Sequence, residues 1–425
     1  MERTLIKDAL QKKENTKVLL KGWIHDSRDL KKVRFIVLKD RTGRIQITGI
    51  NGKTASTVFD EMTSFTRESA IEVVGTIQDS KQAKSGKELL PESITIIAKA
   101  EEPLPVDASD YSKSDLANRI DNRFLDLHSK KAQSIFRVQS TILQAFREFM
   151  TKNETIEAIF PAIIGASSEG GTDVFEIKYF EKSAYLSQSC QLYKQMLACS
   201  MEKVFAIFTA WRAEKHNTLR HLNESRQLDY EEAFADDKDV MKVLAECMKY
   251  MIQRVLDQNS EELEFLKVNL KIPKTKYLTF DEVAKLMKKE KIKIPEHDLS
   301  GEAEKKLGDL FPDTIVFVTD WPIKGKPFYI MPDGENSKGF DAIWKGLEIS
   351  SGGQRIHEPE LLKKQLKANG MDPKNFKEYI NSFKYGAPPH AGWALGLERI
   401  TMLMLGIENI REVTLFPRDR DRLSP

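Results

Sequence analysis

Arg212 and Glu214 stand two residues apart in the stretch Trp211-Arg-Ala-Glu-Lys-His-Asn-Thr-Leu-Arg-His-Leu, which also carries Arg220 and His221. A guanidinium can fork onto a phosphate through two parallel hydrogen bonds, and a carboxylate can accept from an exocyclic amino group. Together these groups suit a nucleotide, with the α-phosphate on Arg212, the base on Glu214 and the outer phosphates on Arg220 and His221. Far away in the chain, Gly396-Leu-Glu-Arg399 opens an apolar helix with another arginine. Arg399 would fork onto the same phosphates from the opposite side. Each stretch alone reads as a solvated charged loop; the pair suggests a site.

Further segments carry polar groups that a plain core would not want. Ser168-Glu-Gly-Gly-Thr sets Glu169 beside two glycines, where a ligand can approach the backbone closely. Gln191 and Lys194, three residues apart, share one face if their segment is helical. Asp341 and Glu348 flank what reads as one apolar strand and could present carboxylates to Mg²⁺. Arg355 follows the double glycine of Ser350-Ser-Gly-Gly-Gln. Cys190, Cys199 and Cys247 are odd in number and lack CxxC spacing, which argues against a disulfide framework and a structural zinc site. Neither a P-loop nor GxGxxG occurs, so phosphate binding by a glycine-rich turn is unsupported.

The elements that must position these groups follow from periodicity. At 425 residues, two domains are expected. A net charge of only +2 means that RNA could be held through local patches alone. In the first hundred residues, Lys17–Ile24, Val33–Lys39, Arg44–Thr48, Ile71–Ile77 and Ile94–Ile97 are strand-like, which predicts a five-stranded barrel of the OB type. Trp23 reads as core there. The prolyl, acidic stretch after residue 100 is the linker candidate, giving domains at 1–103 and 131–425 with a hinge at 104–130. Ile135, Val138, Ile142, Phe146 and Phe149 mark an amphipathic helix. Residues 236–256 and 280–290 read as helices, and Thr314–Val318, Phe328–Met331 and Ile343–Ile349 as strands of a largely antiparallel sheet. The N-terminus shows no apolar signal core and no run reaches the length of a membrane span, so a reducing cytoplasm is expected.

The segments Glu169-Gly-Gly, Gln191-Leu-Tyr-Lys, Arg212-Ala-Glu, Arg220-His-Leu, Leu347-Glu-Ile-Ser-Ser-Gly-Gly-Gln-Arg-Ile-His and Gly396-Leu-Glu-Arg together resemble the aspartyl-tRNA synthetases. The closing Phe416-Pro-Arg-Asp-Arg-Asp-Arg-Leu-Ser-Pro425 agrees, and the archaeal/eukaryotic branch of these class II enzymes is the nearer. The resemblance implies an α+β protein: an N-terminal OB-fold anticodon-binding barrel, then a class II catalytic domain whose antiparallel sheet is flanked by helices. It also implies a homodimer, with Pro161 and the Ile135–Phe149 helix at the interface.

The implied roles fall on matching positions. Glu169 and Asp229 would hold the ammonium of L-aspartate near Gln191, and Lys194 and Arg355 its side-chain carboxylate, within a wall that includes Leu192, Tyr193 and Ser351. Arg212 would bridge substrate and α-phosphate. ATP would lie against Ala213, Glu214, Arg220, His221, Leu222 and Glu348, and against Gly396, Leu397, Glu398 and Arg399. Mg²⁺ would sit on Asp341, Glu348 and Ser351. In the barrel, Arg28, Phe35 and Gln46 would read the anticodon of tRNA(Asp), with tRNA(Asn) as the other candidate. Lys194 and Arg355 would leave a net positive pocket that rejects the neutral amide. The rival expectations are an asparaginyl-tRNA synthetase, an asparagine synthetase built on the same scaffold, and a regulatory RNA-binding relative. The last usually lacks one of the two arginines that stand here as Arg212 and Arg399.

Overall fold

The computed structural model describes residues 1–109, 113–165, 173–215 and 217–425. They form two compact units, Met1–Ser114 and Asp115–Pro425. In the first, β1 (Lys17–Asp29), β2 (Val33–Asp40), β3 (Gly43–Ile50), β4 (Ala70–Asp79) and β5 (Lys87–Ala98) close a barrel in the order β1-β2-β3-β5-β4. Strict alternation drives the closure. Val18, Leu20 and Ile24 on β1 and Ile71, Val73 and Ile77 on β4 all turn inward and are buried together. The same alternation turns Trp23 outward, where it is 39% exposed, so it is not a core residue.

The second unit is built on an eight-stranded sheet. Its strands are β6 (Ile156–Glu157), β7 (Lys203–Trp211), β8 (Glu224–Ala233), β9 (Lys274–Thr279), β10 (Thr314–Thr319), β11 (Gly339–Trp344), β12 (Leu347–Gln354) and β13 (His390–Gly396). The order is β9-β10-β11-β12-β13-β8-β7-β6. Every inner pairing is antiparallel, and only the edge strands β9 and β6 run parallel to their neighbours.

Two long helices cover one face. α1 (Lys130–Lys152) starts at Ser129, whose side chain accepts from the Ala132 backbone N–H. The stripe Ile135, Val138, Ile142, Phe146 and Phe149 is buried within this same chain, so that face of the helix is already spent. α3 (Asp237–Gln258), begun by an Asp236/Asp239 capping box, packs beside it on β12 and β13. The opposite face receives α2 (Gln191–Met201), which lies on β7, β8 and β13. That second face carries the chemistry.

Two readings of the apolar runs need correction. Phe328–Met331 is no strand: Phe328, Tyr329 and Ile330 are buried in a turn packed on Phe376, Tyr379 and Phe383. Ile343–Ile349 is not one strand but the join of β11 and β12, turned at Lys345-Gly346 with φ of 49° and 77°. Positive φ at both loop residues is the geometry of a type I′ hairpin.

Candidate active site

Directly opposed residues on neighbouring strands share a face. Asp229 on β8 opposes Ala394 on β13, Ala394 opposes Ser351 on β12, and Ser351 opposes Asp341 on β11. One rung thus carries Asp229, Ser351 and Asp341 across the sheet on the face of α2. Glu348 lies three residues before Ser351 and would point away in a regular strand. Ile349 is an extra, bulged residue on β12, where the single step from Ala342 to Ile343 on β11 spans Ser350 to Glu348; Glu348 therefore opposes Ile343, which restores it to the same face.

Above this rung lies a cavity of about 260 Å³ lined by Arg212, Glu214, Arg220, His221, Glu348, Ser351 and Arg399. It approaches the range of small-ligand pockets, roughly 300 Å³ upward. The two arginines thus meet, although they come from the end of β7 and from α4 (Leu397–Leu405). Arg399 Nη1 donates to the Glu348 carbonyl at 2.8 Å, and Arg212 Nη1 stands 4.0 Å from the Glu214 carboxylate. Leu222 and Gly396 also border the cavity. Glu398 borders it too, but its carboxylate accepts from the Arg226 backbone N–H at 3.0 Å, which ties α4 to β8. Leu397 is in the core, Leu192 packs towards Phe328, Tyr193 packs on Phe160, and the Ala213 N–H donates to the Asp173 carbonyl.

Next to the rung, four charged side chains are almost wholly buried. Lys194 on α2 donates to Asp229 Oδ1 at 2.9 Å and to the Trp393 carbonyl at 2.8 Å, and its Nζ lies 3.5 Å from Glu231. Arg355 forks onto Glu231 through Nε at 2.8 Å and Nη2 at 3.2 Å. Burial alone would push the Glu231 carboxyl up, but Arg355 and then Lys194 hold it below its usual range. The expected net positive pocket is therefore corrected: two cations face two carboxylates. Glu231 follows Asp229 by two on the same strand, and period-two reading of β8 would have found it. Asp229 Oδ2 and Gln191 Nε2 are among the buried site atoms without a hydrogen-bond partner among the described residues, as are Ser350 Oγ and Gln227 Oε1 at the cavity wall.

Gly392 makes room for this arrangement. A Cβ there would come within 2.2 Å of both Glu231 Oε2 and the Tyr230 carbonyl. Gly392→Ala is expected to displace the Glu231 fork and to weaken binding of the amino-acid substrate more than that of the nucleotide. Separate KM values for the two substrates test this, and equal effects on both would contradict it.

The carboxylates of Asp341 and Glu348 are not isolated. Lys326 Nζ lies 2.5 Å from Asp341 Oδ2 and 3.9 Å from the Trp321 ring centroid. Nothing in the sequence pattern singled out Lys326. Asp341, Glu348 and Ser351 are hard oxygen donors on one face and are the residues able to hold a divalent cation there. Glu169 lies outside the described residues. The three cysteines are free thiols.

In the barrel, Arg28 opposes Phe35 and Phe35 opposes Thr48, so all three share a face. Gln46, two residues before Thr48, donates to its hydroxyl at 3.1 Å and to Glu88 at 2.9 Å. The structure thus gathers Arg28, Phe35 and Gln46 on one side of the barrel.

Residues 115–420 match the family model of class II tRNA synthetases (D, K and N). The chain belongs to the class II tRNA synthetases. Residues 18–97 match the model of the OB-fold nucleic acid binding domain. This synthetase is 43% identical to the aspartate–tRNA(Asp/Asn) ligase of Archaeoglobus fulgidus over 100% of both chains. It is 41% identical to the aspartate–tRNA(Asp) ligase of Thermoplasma volcanium, again over 100% of both. Its fold matches that of asparaginyl-tRNA synthetase from Pyrococcus horikoshii, complexed with asparaginyl-adenylate, with a TM-score of 0.95 at 30% identity over 100% of both chains. Members of this family use ATP, and no helix among the described residues is long and apolar enough to cross a membrane.

Proposed function

We propose that this synthetase is an aspartate–tRNA ligase, which activates L-aspartate with ATP and passes the aspartyl group to the 3′ end of tRNA(Asp), with tRNA(Asn) as a second acceptor. The observation that carries the reading is the meeting of Arg212 and Arg399 at one cavity, on the sheet face that also holds the buried Lys194 and Arg355. Full-length likeness to aspartate ligases at 41–43% identity supports the acid over the amide.

Catalysis then needs positioning and charge neutralisation rather than a protein nucleophile. The substrate α-carboxylate attacks the α-phosphorus of ATP in line, and pyrophosphate leaves. A ribose hydroxyl of the terminal nucleotide next attacks the mixed anhydride, and AMP leaves. Asp229 Oδ2 and Gln191 offer unspent polar atoms to the amino acid, the former to its ammonium. Lys194 and Arg355 take the side-chain carboxylate, and Arg212 spans attacking carboxylate and α-phosphate. Glu214 accepts from adenine, while Arg220, His221 and Arg399 bind the outer phosphates.

Asp341, Glu348 and Ser351 would hold Mg²⁺, which would neutralise phosphate charge when bound. Their fit rests on the crowding of two carboxylates. The Glu348 side chain is 40% exposed towards the cavity, yet desolvation against the sheet and the neighbouring Asp341 together push its carboxyl above its ordinary range, against the pull of Arg399. A carboxyl held up in the fold gives stability that is complete at low pH and lost as pH rises through its raised value. A cation needs that proton gone, so Mg²⁺ should bind with proton release and more tightly as pH rises towards and past neutrality. Calorimetric titration in buffers of different ionisation heat checks this; no proton release would remove Glu348 from the ligand set.

Phe35 offers a stacking face for an anticodon base, with Arg28 as an edge donor and the Gln46 amide oxygen as an edge acceptor. Ile156, Ile159 and Ile163, which bracket Pro161, are 49%, 97% and 46% exposed, and a second copy of the chain would cover them. The cytoplasm, where the tRNA substrates are, is the proposed site of action. Aminoacylation of tRNA(Asp) and tRNA(Asn) transcripts with labelled aspartate tests the function. Failure to charge both would reject it, charging of tRNA(Asp) alone would confine the activity to that acceptor, and exchange driven by asparagine alone would install the asparaginyl reading.

A further inference from the structure

One sequence feature has no part in the chemistry above, the arginine- and aspartate-rich segment Arg418–Pro425. It lies against the loop that joins β7 to β8, which carries Glu214, Arg220 and His221. Asn223 closes the base of that loop, its side chain donating to the carbonyls of Arg212 at 2.6 Å and Glu214 at 2.9 Å. At the tip, the Thr218 hydroxyl accepts from the Arg220 N–H at 3.2 Å and lies 2.6 Å from His221 Nδ1. Thr218 therefore holds both the Arg220 backbone and the His221 ring.

Thr218 is itself set from outside the loop. Arg411 Nη1 donates to its carbonyl at 2.9 Å, Arg411 Nη2 donates to Asn217 Oδ1, and Arg411 Nε donates to Asp419. One planar guanidinium thus ties two loop residues to the C-terminal segment. The segment is tied to the loop separately, since Arg420 Nη1 donates to the Lys215 carbonyl at 2.9 Å and the Arg418 carbonyl accepts from Asn223 N–H at 2.9 Å. The side chains of Arg411 and Asp419 are only 12% and 8% exposed, so water competes weakly for them. The loop tip, residues 217–220, is exposed and has no apolar anchor of its own. Polar clamping is what can hold such a tip in one conformation.

We propose that Arg411 is a positioning residue for nucleotide binding, which acts by clamping Thr218 and thereby orienting Arg220 and His221. The proposal rests on the reading that those two residues meet the outer phosphates of ATP. A loop that visits its binding geometry only part of the time binds with affinity reduced by that fraction. Lysine keeps the charge but cannot serve three partners in one plane. Arg411→Lys should raise the KM for ATP by about tenfold and leave the KM for aspartate within about twofold.

The test is ATP–pyrophosphate exchange with Arg411→Lys, Asn217→Ala, Arg220→Ala and the double variant Arg411→Lys/Arg220→Ala. Asn217→Ala removes two contacts from an exposed position, the one from Arg411 and the one that Asn217 Nδ2 donates to Asp421, so it remains informative if the arginine variant folds poorly. The expected result is a raised KM for ATP in both clamp variants, with the double variant falling short of the product of the two single effects, because the clamp then acts through His221 alone. Unchanged KM for ATP in both clamp variants overturns the proposal, as does an equal rise in both KM values or full additivity in the double variant. A silent Arg220→Ala beside an affected Arg411→Lys would instead refute the phosphate role of Arg220 and leave the clamp acting through His221.

Discussion

Replacing Lys194 with methionine is expected to abolish aspartate-dependent ATP–pyrophosphate exchange and to destabilise the fold by about 3–5 kcal/mol. The two effects have separate causes: exchange is lost with the cation that meets the substrate carboxylate, and stability with the charge balance of the buried cluster. Lys194, Asp229 and Glu231 are each no more than 1% exposed, and Arg355 is 2% exposed. Removing Lys194 leaves two buried carboxylates facing one guanidinium. Methionine fills much of the volume of the lysine stem, so a cavity would contribute little. Lys194→Met/Asp229→Asn should recover much of the stability, because it restores charge balance, while exchange stays dead. Urea unfolding of the single and double variants reads the first effect and exchange reads the second. An unchanged unfolding midpoint in the single variant would refute the charge-balance account, and surviving aspartate activation would take Lys194 out of the substrate site.

Arg399→Ala should act in the opposite proportion, with a loss of about 10²–10³-fold in exchange rate and little change in stability. Arg399 is 27% exposed and its only hydrogen bond within the described residues is to the Glu348 carbonyl, a contact worth about 1 kcal/mol. Its guanidinium faces the cavity and would meet charge that develops on the departing pyrophosphate. Arg399→Lys should recover only part of the rate, since a point charge does not reproduce a fork. Calorimetric unfolding beside the exchange assay separates the two readouts. A variant retaining a third or more of the rate would leave Arg212 as the sole phosphate fork.

Much of the fold is legible in the sequence because burial in it follows simple periods. Alternation at Val18–Ile24 and Ile71–Ile77 gives the barrel strands, and the Ile135–Phe149 stripe gives α1. The hairpin at Lys345-Gly346 is hidden because the turn interrupts an apolar run with no Asn-Gly signal. Phe328–Met331 misleads because a short apolar run suits a buried turn as well as a strand. At the site, the residues that could touch a nucleotide announce themselves by type and spacing. The groups that balance or hold them do not. Glu231 was visible only through strand periodicity, whereas Lys326 and Arg411 reach their partners across the fold.

The extra residue in β12 sets a phase for everything upstream of it. Deleting a single residue between Glu348 and Ser350 would leave the strand's composition almost unchanged, yet rotate the Glu348 carboxylate through the sheet towards the large helices. A charge driven into that apolar layer would be costly. This hairpin should therefore tolerate many side-chain replacements but no change in length, a constraint on counting rather than on chemistry.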